Sequence, residues 1–350
     1  MTKQIKVIVV LTWLIGIVAT ATAQVQVSVA PYYGGRLAAL SMTFDDGLED
    51  QFTLAAPQLN RRGIKATFAI IGSKVGGIMR SKQDRADGTD GTPVMTWDMI
   101  RQLHREGHEI SSHGWQHRAV TRLSAEELRH EVQHNDTVIY EQTGQFPRSF
   151  FYPGNSKSDA TVAFCEQGRV GSRTFQISLG SKRDAAWLRQ WVDGLIEKGE
   201  WGVTMTHGIA RGYDHFADPQ VLWSFLDDIA ARQDELWVAS FSDVAAYVRE
   251  RNDVQLSVSQ QGRQLIVTPS TTLDARLFSH PLTLMVKGVV TKAVQQGISL
   301  TVSHRQGNSF IDFHPHQGEI QITPSLVGHP SAVQLMGRWM SMAAPLRVAL

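Results

Sequence analysis

The chain has 350 residues, 42% of them hydrophobic and 19% charged, and 34 Lys+Arg stand against 33 Asp+Glu for a formal net charge of +1 at pH 7. The apolar content excludes a disordered polymer, and the near-neutral balance leaves no bulk electrostatic drive towards nucleic acid or an anionic membrane. A single cysteine, Cys165, excludes an internal disulfide.

The first element in chain order is a leader. Lys3 and Lys6 precede an apolar run at 7–18, and Ala21-Thr22-Ala23 offers small residues for cleavage. This pattern predicts a secretory signal peptide over 1–23, with Gln24 as the mature start, a net charge of −1 once Lys3 and Lys6 are gone, and a secreted or periplasmic location. The run is short for a membrane span, and no other candidate span follows.

From 37 to about 250, short apolar runs alternate with amphipathic stretches. Strands are predicted at 37–44, 66–71, 109–112, 149–152, 170–175, 203–206 and 236–238, and helices at 51–61, 97–105, 125–142, 159–167, 185–198, 219–232 and 242–249. Ser124-Ala125-Glu126-Glu127 is a capping box at the head of one helix. Segment 76–93, rich in Gly, Asp and Lys, reads as a long loop at the rim of a site. Strand and helix in repeated alternation predict an α/β fold, a parallel sheet curled into a barrel. After about Asn252 the apolar residues recur at period two, as in Leu282/Leu284/Val286 and Ile320/Ile322, with glycines between and no helical pattern. That predicts an antiparallel, sandwich-like β domain. The expected division is 1–23 signal peptide, 24–251 barrel and 252–350 β domain, the last separable from the chemistry.

Three clusters fall where strands end. They are Asp45-Asp46-Gly47, His113 with His117, and His207. In α/β folds the strand ends carry the chemistry. Two histidines four apart with one carboxylate make a divalent-metal face that leaves room for water, and the second carboxylate and third histidine are then free for proton transfer. Each cluster alone has a plainer reading: Asp-Asp-Gly is ordinary turn chemistry, and paired histidines hydrogen-bond locally. Together they favour a metal-dependent hydrolase. His304, Asp312, His314 and His316 read as exposed residues of the β domain, and His104, His130 and His134 as solvated helix positions. Trp115, Tyr152, Trp201 and Tyr213 read first as core aromatics and second as sugar-stacking surfaces.

Thr43-Phe44-Asp45-Asp46-Gly47 resembles the first motif of the polysaccharide deacetylases, carbohydrate esterase family four. Gly107-His108-Glu109-Ile110, Ser111-Ser112-His113 and His117 resemble the second motif and its lead-in, with Gly114 where Ser or Thr is usual. Ser149-Phe150-Phe151-Tyr152-Pro153-Gly154-Asn155 resembles the third, with Phe151 where the family usually has an arginine that braces the catalytic aspartate; Arg148 is near but out of register. Thr204-Met205-Thr206-His207 resembles the fifth, and Asp184 with Trp187 loosely echo the fourth. The resemblance implies a distorted, seven-stranded (β/α) barrel. It implies metal ligands Asp46, His113 and His117, a general base Asp45 and a general acid His207. Tyr152, Pro153, Arg148 and Trp115 are the candidates for substrate binding or oxyanion support.

The expected protein is a secreted hydrolase that removes acetyl groups from an acetylated carbohydrate, with zinc as the default metal. N-deacetylation of an N-acetylglucosamine-containing glycan is favoured because a dedicated acid matters most for an amine leaving group. The alternatives are an O-acetyl esterase on a polysaccharide such as acetylated xylan, a catalytically impaired carbohydrate-binding protein, and an iron enzyme on the same ligand face.

Overall fold

The structure is a computed structural model that describes residues 25–325 except 87 and 181. The expected signal peptide lies outside the described residues. Among them, no helix is long and apolar enough to cross a membrane.

The strands in chain order are β1 (Val27–Val29), β2 (Ala38–Ser41), β3 (Thr43–Phe44), β4 (Thr67–Ile70), β5 (Ile78–Met79), β6 (Thr92–Pro93), β7 (Glu109–Ser112), β8 (Ser149–Phe151), β9 (Gly171–Arg173), β10 (Ile177–Ser178), β11 (Trp201–Met205) and β12 (Leu236–Val238). The β region adds β13 (Gln255–Gln261), β14 (Gln264–Ser270), β15 (Leu282–Lys287), β16 (Val290–Gln295), β17 (Ile298–Ser299), β18 (Val302–Arg305), β19 (Asn308–Phe313) and β20 (Ile320–Pro324).

Two parallel sheets, β10-β11-β2-β12 and β3-β4-β7-β8-β9, form the distorted barrel. They meet where β2 runs into β3, and a parallel bridge from Phe44 to Thr206 ties β3 to the end of β11. The period of two along this strand explains the site. Leu40, Met42 and Phe44 pack outward in one cluster with Leu59, Leu103, Leu195 and Leu226 of the surrounding helices. Ser41, Thr43 and Asp45 alternate with them and are equally buried, so they face the barrel interior. Parallel strands buried on both faces carry no solvated side.

Helices 97–105 and 185–198 lie as expected. The predicted helix 51–61 opens with a π-helical turn, Gln51–Ala55, and the predicted helix 125–142 holds one in its middle, His130–His134. The expected loop 76–93 contains the β5–β6 ribbon and the helix Lys82–Ala86. The predicted strand 170–175 is shorter, and β10 follows it unpredicted.

The β region is a pair of antiparallel sheets, β1-β15-β19-β18 and β13-β14-β20-β16-β17. β1 is a departure from the expected division: the sequence pattern gives residues 24–251 to the barrel, yet Val27–Val29 pairs with β15. The period-two run Ile298/Leu300/Val302 does not form one strand, because β17 and β18 belong to different sheets. One apolar cluster joins Leu265, Val267, Leu284, Ile311 and Ile322 to Ala39, Trp237 and Tyr247 of the barrel. The Tyr247 hydroxyl donates to the Ala30 carbonyl at 2.9 Å, so the two parts are sewn together by chain from both ends.

Candidate active site

Asp45 and Asp46 leave β3 in different directions because the backbone reverses there. Asp46 has φ 71° and Gly47 φ 68°, both left-handed. The Asp45 amide still continues the sheet, donating to the Thr206 carbonyl at 2.8 Å. Its carboxylate turns into the barrel, where Arg173 holds it with two bonds, Nη1 to Oδ1 at 2.7 Å and Nη2 to Oδ2 at 2.6 Å. Arg173 also donates to Thr43 Oγ1 at 2.7 Å. Burial by itself would raise the Asp45 pKa, but the Arg173 guanidinium, with help from His113, holds this carboxyl well below the usual carboxylate range.

Asp46 has the opposite environment. Its Oδ1 is buried with no hydrogen-bond partner. It lies 3.5 Å from His113 Nε2 and 3.6 Å from His117 Nε2. Burial, with the negative charge of Asp45 adding to it and His207 opposing it, pushes the Asp46 pKa up to about 6. The ring of His113 is oriented by its other nitrogen: Nδ1 donates to the Phe151 carbonyl at 2.9 Å, which leaves the Nε2 lone pair facing Asp46. Burial brings the His113 pKa down to about 3 and lowers that of His117, so both rings are neutral, the form that binds metal. Ligand atoms of Asp46, His113 and His117 all lie within 4.8 Å of one another. An orphaned carboxylate oxygen facing two neutral imidazole nitrogens fits a divalent cation.

His207 ends the run after β11, brought alongside by its own strand. Gln51 donates to the carbonyls of both Asp45 (2.6 Å) and His207 (2.9 Å), locking the two loops together. Asp50 Oδ2 accepts from the amides of Ile209 and Ala210 at 2.9 Å and of Arg211 at 3.3 Å, pinning the loop that follows. The His207 Nδ1 is buried without a hydrogen-bond partner. Tyr213, more than half exposed, stands edge-to-face on the His207 ring with centroids 4.8 Å apart.

The other candidates differ in where they lie and in what they touch. Arg148 precedes β8, at the end of the barrel opposite the three clusters, and pairs with Asp243 at 3.2 Å. Tyr152 follows β8 at the correct end, but its ring packs with Val120, Val132 and Cys165 and its hydroxyl donates to Ser172 at 2.9 Å. A buried ring so used has no face for a sugar. Pro153 is buried and opens the tight turn after β8. Trp115 lies against His134, and a side chain on Gly72 would collide with its ring. Asp184 caps the helix Ala185–Lys198 by accepting from the Trp187 amide at 2.8 Å.

Sequence reasoning missed Arg173. Its signal was present: an arginine inside a predicted buried strand, after Gly171-Ser172, needs a buried anion.

Residues 36–168 match the sequence model described as polysaccharide deacetylase. Among curated proteins, the peptidoglycan-N-acetylglucosamine deacetylase PgdA of Listeria monocytogenes is 27% identical over 33% of this chain and 21% of its own length. Chitin deacetylase 1 of Cryptococcus neoformans is 28% identical over 36% of this chain and 23% of its length. A gellan lyase from a Bacillus species is 20% identical over 85% of this chain and 13% of its length. The chain thus spans less than a quarter of the length of these relatives. Among solved structures, the Bc1960 peptidoglycan N-acetylglucosamine deacetylase aligns with a TM-score of 0.45 at 15% identity, over 62% of this chain and 91% of that one. BA3943, a family pseudoenzyme from Bacillus anthracis, aligns with a TM-score of 0.44 at 15% identity, over 59% of this chain and 65% of that one. Segment 36–168, which carries Asp45, Asp46, His113 and His117, is thus the part of the chain that is similar to the polysaccharide deacetylases.

Proposed function

We propose that this chain is a secreted, metal-dependent hydrolase that removes the acetyl group from N-acetylglucosamine units of a glycan. The observation that carries this reading is the opposed setting of two adjacent carboxylates: Asp45 is gripped by Arg173, while Asp46 presents an unpartnered oxygen to His113 and His117. Asp46, His113 and His117 would hold the metal, with zinc as the default. When bound there, the metal supplies Lewis acidity to the acetyl carbonyl and acidity to a water.

The chain's own residues do the rest. Arg173 keeps Asp45 ionised across the working pH range, so a proton acceptor is always present beside the metal face. Asp45 takes the proton of the attacking water. His207 gives a proton to the departing nitrogen, because an amide anion does not leave unprotonated. Tyr213, exposed at the rim and braced against His207, offers its free face to a sugar ring. The deacetylase relatives named above support an acetylated glycan as the substrate class.

The test is acetate release from a chitooligosaccharide with and without a chelator, alongside elemental analysis of the unaltered chain and of His113→Ala. One divalent metal per chain, lost in the variant, and chelator-sensitive release are expected. Full metal retention in His113→Ala would falsify the ligand set, and chelator-insensitive release would remove the metal from the reaction.

A further inference from the structure

The loop between the two histidines of the metal face departs from the family pattern at Gly114, and the structure contains a compensating residue. Gly114 has φ 79°, and a Cβ placed on it would lie 2.5 Å from Glu131 Oε1. The carboxylate of Glu131 therefore occupies the space into which a side chain at 114 would project. Glu131 is buried, 1% exposed, and its Oε1 accepts from the amides of Gln116 at 3.0 Å and Arg118 at 2.9 Å. Its backbone carbonyl accepts from Trp115 at 2.8 Å. One residue thus engages three of the four amides from 115 to 118. The two amides on Oε1 flank His117, whose φ of 63° is left-handed. A non-glycine residue holds that conformation only where its surroundings impose it. Glu131 itself lies in the π-helical turn His130–His134, a widened turn of a kind often found at functional sites.

We propose that Glu131 is a positioning residue that sets metal affinity by fixing His117. This rests on the reading of Asp46, His113 and His117 as the metal face. A carboxylate accepting two amides is a charge-assisted brace stronger than a neutral one. The preference of Gly at 114 and the burial of Glu131 are then two halves of one arrangement.

The test is Zn2+ affinity by competition with a chromophoric chelator on the full chain, with Co2+ absorption as a report on ligand geometry and the melting temperature of the metal-free protein as a control for folding. Glu131→Ala is expected to weaken Zn2+ roughly 10- to 100-fold, as loss of an outer-shell partner does elsewhere, and to alter the Co2+ bands. Glu131→Gln keeps an acceptor oxygen and is expected to stay much closer to the unaltered chain. Gly114→Ala should displace the carboxylate and weaken Zn2+, and adding it to Glu131→Ala should cost less than it does alone, because the two share one contact. If Glu131→Ala lowers only the metal-free melting temperature and leaves Zn2+ affinity and Co2+ bands unchanged, Glu131 is structural and the proposal is overturned while the metal face stands. If the unaltered chain binds neither ion, the metal face and the proposal fall together. Should Glu131→Ala not fold, the Gly114→Ala and Glu131→Gln affinities decide: equal binding to the unaltered chain in Gly114→Ala overturns it.

Discussion

Arg173 sits directly beside Phe151 in the register of β8 and β9, and its guanidinium carbon lies 4.1 Å from the centre of that ring on its way to Asp45. The resemblance places the bracing arginine at 151. Here the phenylalanine fills that position and the arginine comes from its neighbour on the next strand, one step across the sheet on the same face. Both arrangements deliver a guanidinium to Asp45, since paired residues of adjacent parallel strands are close enough for a long side chain to exchange places. The expected result follows. Arg173→Met should leave Asp45 as an unmatched buried charge and destabilise the fold by about 3–5 kcal/mol. Turnover should fall by roughly 10²-fold or more as the proton acceptor loses its setting. The exchange Phe151→Arg with Arg173→Phe should recover part of both losses, measured as melting temperature and kcat. A double variant no better than Arg173→Met would show that the two positions are not equivalent.

Much of this was legible in the chain. Strand ends were visible because Leu40, Met42 and Phe44 alternate with small polar residues before Asp45, and because His113 and His207 each close an apolar run. The seam between the parts was not. β1 is three residues long and joins a sheet whose other strands begin at 282, a pairing no local pattern reports. Arg148 was misplaced for a related reason. Nearness in sequence to the third motif says nothing of which barrel end a residue occupies, and the start and end of a strand face opposite ways. Arg173 lies outside the motif, which covers β8, and its bracing contact spans 128 positions of sequence.

The proton assignments predict a split between substrates. Asp45→Asn and His207→Ala should each lose most of their turnover while binding metal as before. His207→Ala should lose less on an activated aryl acetate than on an N-acetyl sugar, because an aryl oxide departs without being protonated. Metal content and both rates measured on the two variants check this. Equal losses on both substrates would argue against His207 as the acid, and metal loss in Asp45→Asn would reverse the roles of the two aspartates.

Tyr213 should act on binding more than on chemistry. Its ring is exposed, and the loop that carries it is pinned by Asp50 and by the Gly208 amide on the Tyr213 carbonyl at 3.1 Å. Tyr213→Ala should raise KM for a chitooligosaccharide by about 2- to 10-fold, the scale of one aromatic stacking contact, with a smaller change in kcat. Tyr213→Phe should keep KM near its original value. A fall in kcat alone would mean that the ring serves to hold His207.

Glu250 should make the joint between barrel and β region sensitive to pH. It sits in the helix Phe241–Asp253, buried, with Oε1 accepting from the His280 amide at 3.0 Å and Oε2 without a partner. Burial, opposed by that amide and by Arg148, pushes its pKa up to about 7. The folded chain therefore binds this proton more tightly than the unfolded chain, in which a glutamate titrates near its ordinary value. The resulting stabilisation is complete below that ordinary value and is lost as pH rises through about 7. The melting temperature should fall by a few degrees between mildly acidic and mildly alkaline buffer. Glu250→Gln, which cannot ionise and still accepts from His280, should flatten that decline and be the more stable protein on the alkaline side. Parallel profiles for the two proteins would place the pH dependence elsewhere. The structure also says what loosening there exposes: Tyr247 and Trp237 of the barrel lie in the same apolar cluster as Leu284 and Ile311, so a chain ended near Arg251 should uncover that face and melt well below the full chain, whatever its activity on a small substrate.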